Sequence, residues 1–282
     1  MSAAKAAKAT VPSHITGFFA AKRQVDPKLS GSIGCGLTLN LDAVTTVEAA
    51  DETEILLNGR PSEAPVSRYV VERLARSQVM VCTQLDMPLG SGFGASGAGA
   101  LGCAYALNSF FDLGLTANGA AAVAHVAEVL NRTGLGDVAG QNTGGLVMRL
   151  EPGAPGIGRV DRIPVPALRV DYVVRGPIST SDVLSDEAAL KEINRAGEAA
   201  LKALLKRPTL QEFMHLSRSF TVEAGLASEW ALEAIEAVEA AGGQASMIML
   251  GDAVFAFGGA AALNEFGEVH TTTISQGGAR LD

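Results

Sequence analysis

The 282-residue chain has a formal charge of −8 and is 48% hydrophobic, which is ample for a sizeable core and too apolar for a disordered chain. Acidity without a Lys/Arg cluster excludes sequence-independent nucleic-acid binding, which depends on neutralising phosphates. It still admits a polyanion held by backbone amides and a metal ion. Aromatics make up 5% while glycine alone numbers 32, which points to close helix–sheet packing and tight turns rather than a broad aromatic face.

The run Met1–Thr10 carries Lys5 and Lys8 with no apolar stretch behind it, so it reads as a frayed tail and not a secretory signal. No run of about 18 apolar residues could span a membrane. Cys35, Cys82 and Cys103 form no CxxC pair and lie in apolar surroundings, so buried, inert thiols in a reducing cytoplasm are expected.

In chain order, Val11–Phe19 and Gly31–Glu48 read as strands, followed by a short strand Glu54–Leu57 that ends at the turn Asn58-Gly59. Ala64–Ser77 has helical periodicity, and Val79–Leu85 is an apolar strand closed by Pro88 and a glycine-rich loop. Two Ala-rich helices follow, Ser96–Phe111 and Thr116–Asn131, then a polar loop Thr133–Gly145 and a strand Leu146–Leu150. Glu151–Pro166 is proline-rich and reads as a junction between two lobes, 11–155 and 156–282. Beyond it come a strand Arg169–Val174, helices near Ser185–Leu205, Thr209–Ala224 and Ser228–Ala241, and strands Ser246–Leu250, Ala253–Phe257 and His270–Ile274. Strands separated by helix pairs indicate an α+β fold rather than a doubly wound sheet.

The densest signal is Pro88-Leu-Gly-Ser-Gly-Phe-Gly-Ala-Ser-Gly-Ala-Gly99, between a strand and a helix. Glycines let backbone N–H groups face a ligand, and the next helix adds its positive N-terminus, a combination that binds phosphate. Ser96 reads either as a phosphate-side hydroxyl or as a plain helix N-cap. Gly92-x-Gly94-x-x-Gly97 matches the dinucleotide fingerprint literally, but the strand that should carry the ribose-binding acid is missing before Asp112. That makes a NAD-dependent enzyme a distant reading. A Walker A loop fails because no lysine occurs between Lys28 and Lys191.

A second constellation follows in His125-Val-Ala-Glu128 and Thr133-Gly-Leu-Gly-Asp137. His125 and Glu128 share a helix face. Phosphoryl transfer needs one carboxylate for magnesium and another to orient or deprotonate the attacking hydroxyl. Taken alone, Glu128 also reads as a solvated helix residue and Asp137 as a turn former.

Together the two segments resemble the GHMP kinases. Pro88, Gly92, Phe93, Gly94, Ala95, Ser96 and Ala98 fall in register with that family's Pro-x-x-x-Gly-Leu-Gly-Ser-Ser-Ala pattern, with Phe93, Ala95 and Gly97 as departures. The resemblance implies an N-terminal ribosomal-protein-S5-like lobe, a C-terminal ferredoxin-like lobe, and ATP on Pro88, Gly90, Ser91, Gly92, Gly94, Ala95, Ser96 and Gly97. It further implies magnesium on Ser96 and Glu128, and Asp137 as the base. Val11-Pro-Ser-His-Ile-Thr-Gly-Phe-Phe19, Gly31-Ser-Ile-Gly-Cys-Gly36, Gly176-Pro-Ile-Ser-Thr180 and Ala245-Ser-Met-Ile-Met-Leu-Gly251 are similar to the pantoate kinase branch. That branch implies phosphorylation of the 4-hydroxyl of pantoate in a route to coenzyme A, and the family implies a homodimer. A substrate carboxylate needs a cation and polar donors; Arg149 is the best placed, with His125, Ser32 and Thr180 beside it and His14 as a weaker candidate. His215 and His270 read as structural. A GHMP kinase for another hydroxy acid of the homoserine or mevalonate type, or a non-catalytic binding protein of the same fold, remain the alternatives.

Overall fold

A computed structural model describes residues 6–178 and 187–282. Two long strands organise it. β1 (Ala6–Lys22) and β2 (Gly31–Ala49) pair antiparallel along most of their length. From Ala9 to Ala21 every residue of β1 is buried except Thr16. Pro12 sits at a shift of register between Pro12 and Ser13, a place where a missing N–H is tolerated.

One edge of β2 serves two partners. β5 (Val79–Leu85) pairs with Ala43–Ala49, and β6 (Leu146–Glu151) pairs with Gly34–Leu37. β3 (Glu54–Leu57) runs parallel to β5, β4 (Arg60–Pro61) pairs with β3, and β7 (Arg159–Ile163) pairs antiparallel with β6. The turn between β3 and β4 is Asn58-Gly59, both at positive φ (49° and 75°), as the dipeptide predicts. A second sheet has the order β11 (His270–Thr273), β8 (Arg169–Pro177), β10 (Gly251–Phe257), β9 (Gln244–Met247). The chain then returns to the first sheet, where β12 (Arg280–Leu281) pairs with β1.

α1 (Pro65–Leu74), α2 (Ala95–Phe111) and α3 (Ala117–Asn131) pack on one another, with α2 lying along β1 and β2. α4 (Asp137–Thr143) packs on α2, α3 and β1. α5 (Glu187–Leu204) and α6 (Leu210–Glu223) pack against β1, and α7 (Glu229–Ala240) and α8 (Ala260–Leu263) lie over the second sheet. Thr116, Thr209 and Ser228 cap α3, α6 and α7 by accepting the N–H groups of Gly119, Glu212 and Ala231. A continuous core spans both sheets, with Phe18, Phe213, Phe220 and Phe255 in its middle. The α+β class predicted from the sequence is the observed one. Among the described residues no helix is long and apolar enough to cross a membrane.

Three segments differ from the sequence reading. Ala6–Thr10, read as part of a frayed tail, is the start of β1: it pairs with β2, and Ala9 and Thr10 also pair with β12. The polar loop 133–145 contains α4, whose seven residues are bracketed by Gly136 and Gly144 and bury Val138 and Ala139. So short a helix shows no periodicity, and Asp137 in its first turn complements the helix dipole. The proline-rich junction contains β7, because Pro152 and Pro155 precede the strand and Pro164 and Pro166 follow it. β7 therefore belongs to the first sheet, although it lies beyond position 155.

The glycine-rich composition is explained at particular contacts. A Cβ on Gly197 of α5 would stand 1.9 Å from the Phe19 carbonyl oxygen of β1, and one on Gly102 of α2 would stand 2.6 Å from Thr45 Oγ1. Helix and strand approach until only hydrogen fits between them. Gly197→Ala should therefore lower the melting temperature by at least ~3 °C, since over-packing typically costs about 1–3 kcal/mol. Gly176 has open space where a Cβ would go, so Gly176→Ala should stay within about 1 °C of the parent. Equal melting of both variants would show that α5 does not need this close contact.

Candidate active site

The loop leading from β5 into α2 carries glycines at positive φ at alternate positions: Gly90 (73°), Gly92 (83°) and Gly94 (66°). Side chains at those positions would be strained, and backbone N–H groups can turn outward there. The loop rests on the turn that joins β9 to β10. A Cβ on Gly92 would stand 2.7 Å from the Met249 carbonyl oxygen, and one on Gly251 2.0 Å from the Ser91 carbonyl oxygen. Phe93, at the position of the family's leucine, anchors the loop in the core; its ring centroid is 5.1 Å from that of Tyr172. Tyr172 in turn stacks on His270.

Ser96 is not an N-cap, because α2 begins at Ala95 with Gly94 before it. Its hydroxyl instead donates to Glu128 Oε1 at 2.7 Å, and Thr133 Oγ1 donates to the same oxygen at 2.7 Å. Glu128 Oε2 is buried without a partner. Cβ atoms on Gly134 and Gly97 would stand 2.1 Å and 3.3 Å from it, so glycine at 97 clears space where the family pattern has alanine. The same Gly134 position is 3.2 Å from Asp137 Oδ2. Burial, followed by the nearby charge of Asp137, pushes the Glu128 carboxyl up to about 7 against the pull of its two hydroxyl donors. A buried carboxylate oxygen with no donor beside a second carboxylate is an arrangement that a cation satisfies.

Asp137 begins α4. Its Oδ1 lies 2.8 Å from Nδ1 of His14, a fully buried residue of β1. On the far side of the ring, His14 Nε2 lies 3.4 Å from Arg149 Nη1. Arg149 stands on β6 opposite Gly34 of β2, only 2% exposed, with Nη2 3.4 Å from Thr16 Oγ1 and Nε unpaired. Burial pushes the His14 ring below its ordinary range, against the opposing pull of Asp137. Cys35 and Cys103 are buried and pushed up to about 12, so they are inert as expected, whereas Cys82 is only partly covered.

Asp137, Arg149 and Ser96 border a cavity of about 450 Å³. Gly90, Gly92, Gly94, Ala95 and Ser96 line it from the loop, Thr133–Asp137 from the segment before α4, and Thr16, Ser32 and Arg149 from the sheet. Ile55, Leu57, Pro65 and Leu85 form an apolar end. A smaller cavity of about 260 Å³ meets it at Ser32, Leu135 and Arg149.

The structure thus gathers Asp137, Ser96, Ser32, Arg149 and most of the loop around one space. Pro88, Ser91, Gly97 and Glu128 are not among the residues that line it. It does not bring His125 there: that ring is buried with Nε2 2.8 Å from the Ser30 carbonyl, so its polar edge is turned to the backbone before Ser32 and not to the cavity. Thr180 lies outside the described residues. The sequence reading ranked His14 low and missed Thr16, Thr133, Gln141 and the cavity-lining Arg132. Three of these had a signal. His14 and Thr16 are alternate residues of one strand, and Gln141, which donates to the Gly94 carbonyl at 2.8 Å, lies one turn after Asp137.

Residues 66–145 match the family described as GHMP kinases N terminal domain. The chain is 40% identical to a pantoate kinase of Thermococcus kodakarensis over 267 residues, covering 88% of this chain and 86% of that one. It is 37% identical to a pantoate kinase of Methanospirillum hungatei, covering 96% and 94%. A solved structure described as a phosphotransferase related to the CoA biosynthesis pathway superposes with a TM-score of 0.89 at 32% identity, over 99% of both chains. Homoserine kinase from Cytophaga hutchinsonii shares the fold, with a TM-score of 0.70 at 18% identity over 100% and 99% of the chains.

The displaced titration of Glu128 has a consequence for stability. Between the ordinary carboxylate range and about 7 the folded protein keeps a proton that the unfolded chain has lost, so stability falls as pH rises through that window. Glu128→Gln should remove this loss and raise the melting temperature of the metal-free protein at pH ~8 by at least ~3 °C. Magnesium should raise the melting temperature of the parent, and the same substitution should abolish that rise. A parent that magnesium does not stabilise, or a variant that it stabilises equally, would contradict the cation assignment.

Proposed function

Because the chain belongs to the GHMP kinase family and groups there with the pantoate kinases, we propose that this ATP-dependent kinase phosphorylates the 4-hydroxyl of pantoate, yielding 4-phosphopantoate for coenzyme A biosynthesis. The observation that carries the reading is the placement of Asp137 and Arg149 on one cavity wall beside the glycine loop, in a chain 40% identical to a pantoate kinase.

The loop Gly90–Ser96 holds the phosphates through backbone N–H groups and the start of α2. Glu128 Oε2 and the Ser96 hydroxyl would hold magnesium, which supplies charge neutralisation at the transferred phosphoryl group. Asp137 keeps Oδ1 on His14 and offers Oδ2 to the substrate hydroxyl. As the hydroxyl oxygen bonds to the γ-phosphorus, the bond from that phosphorus to the β–γ bridging oxygen breaks, ADP departs, and the hydroxyl proton passes to Asp137. Arg149 and Ser32 bind the carboxylate, and Thr180 is assigned to the same end of the substrate. His125 supports Ser32 through the Ser30 carbonyl. In this reading residues 11–155 form the ATP-binding lobe and 156–282 the second lobe, with β7 and β12 crossing back to the first sheet. A homodimer in a reducing cytoplasm completes it, on the family resemblance and the three free thiols.

ADP release measured over pantoate, homoserine and mevalonate should favour pantoate by at least ~100-fold in kcat/KM. All three carry a carboxylate, but homoserine brings an ammonium where pantoate has its 2-hydroxyl, and mevalonate sets its reactive hydroxyl one carbon further from the carboxylate, so neither aligns with Arg149 and Asp137 together. Asp137→Asn should keep its fold and lose ~10²–10⁴ in kcat. Arg149→Ala should raise the KM for pantoate at least ~10-fold and leave that for ATP almost unchanged. Comparable rates with homoserine or mevalonate would overturn the substrate. An Arg149→Ala variant that loses ATP instead would make this residue a phosphate ligand.

A further inference from the structure

His14 is an unusual residue for the middle of a buried strand. A fully covered imidazole needs a partner at each nitrogen, and both are present: Asp137 Oδ1 at 2.8 Å from Nδ1 and Arg149 Nη1 at 3.4 Å from Nε2. A guanidinium can only donate, so Nε2 must be the accepting, unprotonated nitrogen. Nδ1 therefore carries the hydrogen and donates it to Asp137. An imidazolium would set a second donor and a like charge against Arg149. The tautomer thus follows from the chemistry of the two neighbours.

The surroundings are shaped to the ring. A Cβ on Gly36 of β2 or on Gly140 of α4 would stand 2.5 Å from His14 Nε2. The main chain of the same residue is committed as well, since the His14 N–H donates to the Phe93 carbonyl at 3.1 Å, inside the phosphate-binding loop. One residue therefore touches the loop that holds the phosphoryl donor and the carboxylate that meets the acceptor.

We propose that His14 is the positioning residue of the phosphoryl transfer: a neutral spacer between Arg149 and Asp137 that occupies Oδ1 and aims Oδ2 at the substrate hydroxyl. The inference rests on the assignment of Asp137 as the proton acceptor. Holding Oδ1 from behind fixes the carboxylate without placing a full positive charge on it, which would oppose proton uptake. Arg149 remains free to pair with the substrate anion.

The test uses the full-length protein with ATP, magnesium and pantoate, and compares His14→Phe, His14→Asn and His14→Gln in the parent and in an Asp137→Asn background. His14→Phe retains ring volume without nitrogen. It should lower kcat at least ~30-fold and change the KM for ATP by no more than about twofold, the signature of an interaction felt in the transition state. His14→Asn places an amide N–H near the lost Nδ1 and should recover about fivefold or more of that loss, whereas His14→Gln reaches toward Arg149 and should not. In the Asp137→Asn background His14→Phe should change kcat by less than about twofold, because a group that acts through Asp137 has nothing left to act on. A folded His14→Phe variant within about threefold of the parent kcat would overturn the proposal, as would an undiminished further loss in the double variant. Where His14→Phe does not fold, the Asn and Gln variants decide: turnover in Gln equal to or above that in Asn contradicts the proposal. An Asp137→Asn single variant that keeps its turnover would instead remove the base assignment on which this inference depends.

Discussion

Burying a guanidinium, an imidazole and a carboxylate around one cavity, with a second carboxylate half-buried beside them, is costly unless each charge or polar atom faces a partner. Much of the surrounding backbone is arranged to meet that condition. His14 lies between Asp137 and Arg149, and Glu128 takes two hydroxyl donors. Glycines stand against these side chains: Gly36 and Gly140 beside His14, Gly136 beside Arg149 and Ser32, Gly97 and Gly134 beside Glu128. Any side chain at these places would press on a polar atom that has to keep its position. The atoms left unpaired, Glu128 Oε2 and Arg149 Nε, lie beside the space where phosphate, cation and substrate anion are expected to meet.

This arrangement also explains how an acidic protein can serve a polyanionic substrate. The binding potential is local and comes from loop N–H groups and two cavity-lining arginines, Arg132 and Arg149, with no lysine between Lys28 and Lys191. The turn at Met249–Gly251 matters for the same reason. Leu250 adopts positive φ (66°), and the hairpin tip it forms supports the loop from the second sheet, so the loop is held from both sheets. Met249 N–H also donates to the Thr16 carbonyl at 3.2 Å, which ties that tip to the strand carrying His14.

Much of this was legible in the sequence where the signal is local. The strand boundaries of β2, β3 and β5, the starts of α3, α6 and α7, the Asn58-Gly59 turn and the glycine loop all follow from neighbouring residues. The acidic pair Glu128 and Asp137 was legible through a family pattern, not through spacing alone. What escaped depends on register between distant segments. His14 meets Asp137 across 123 positions of sequence, and only the pairing of β1 with β2 and the seating of α4 bring them together. The place of His125 was hidden for a related reason: it shares a helix face with Glu128, but its ring reaches the Ser30 carbonyl, outside the cavity lining. α4 and β7 were hidden by glycine and proline, which mark where elements stop and say little about a short element between them.

The neutral, Nδ1-protonated state of His14 is the feature of the electrostatic arrangement most open to direct observation. Ring-nitrogen NMR of the ligand-free protein, with its four histidines assigned by single substitutions, reports protonation and tautomer at each site. The structure predicts that His14 keeps one hydrogen, on Nδ1, from pH ~6 to ~8. A doubly protonated His14 ring at neutral pH, or a hydrogen on Nε2, would contradict the account.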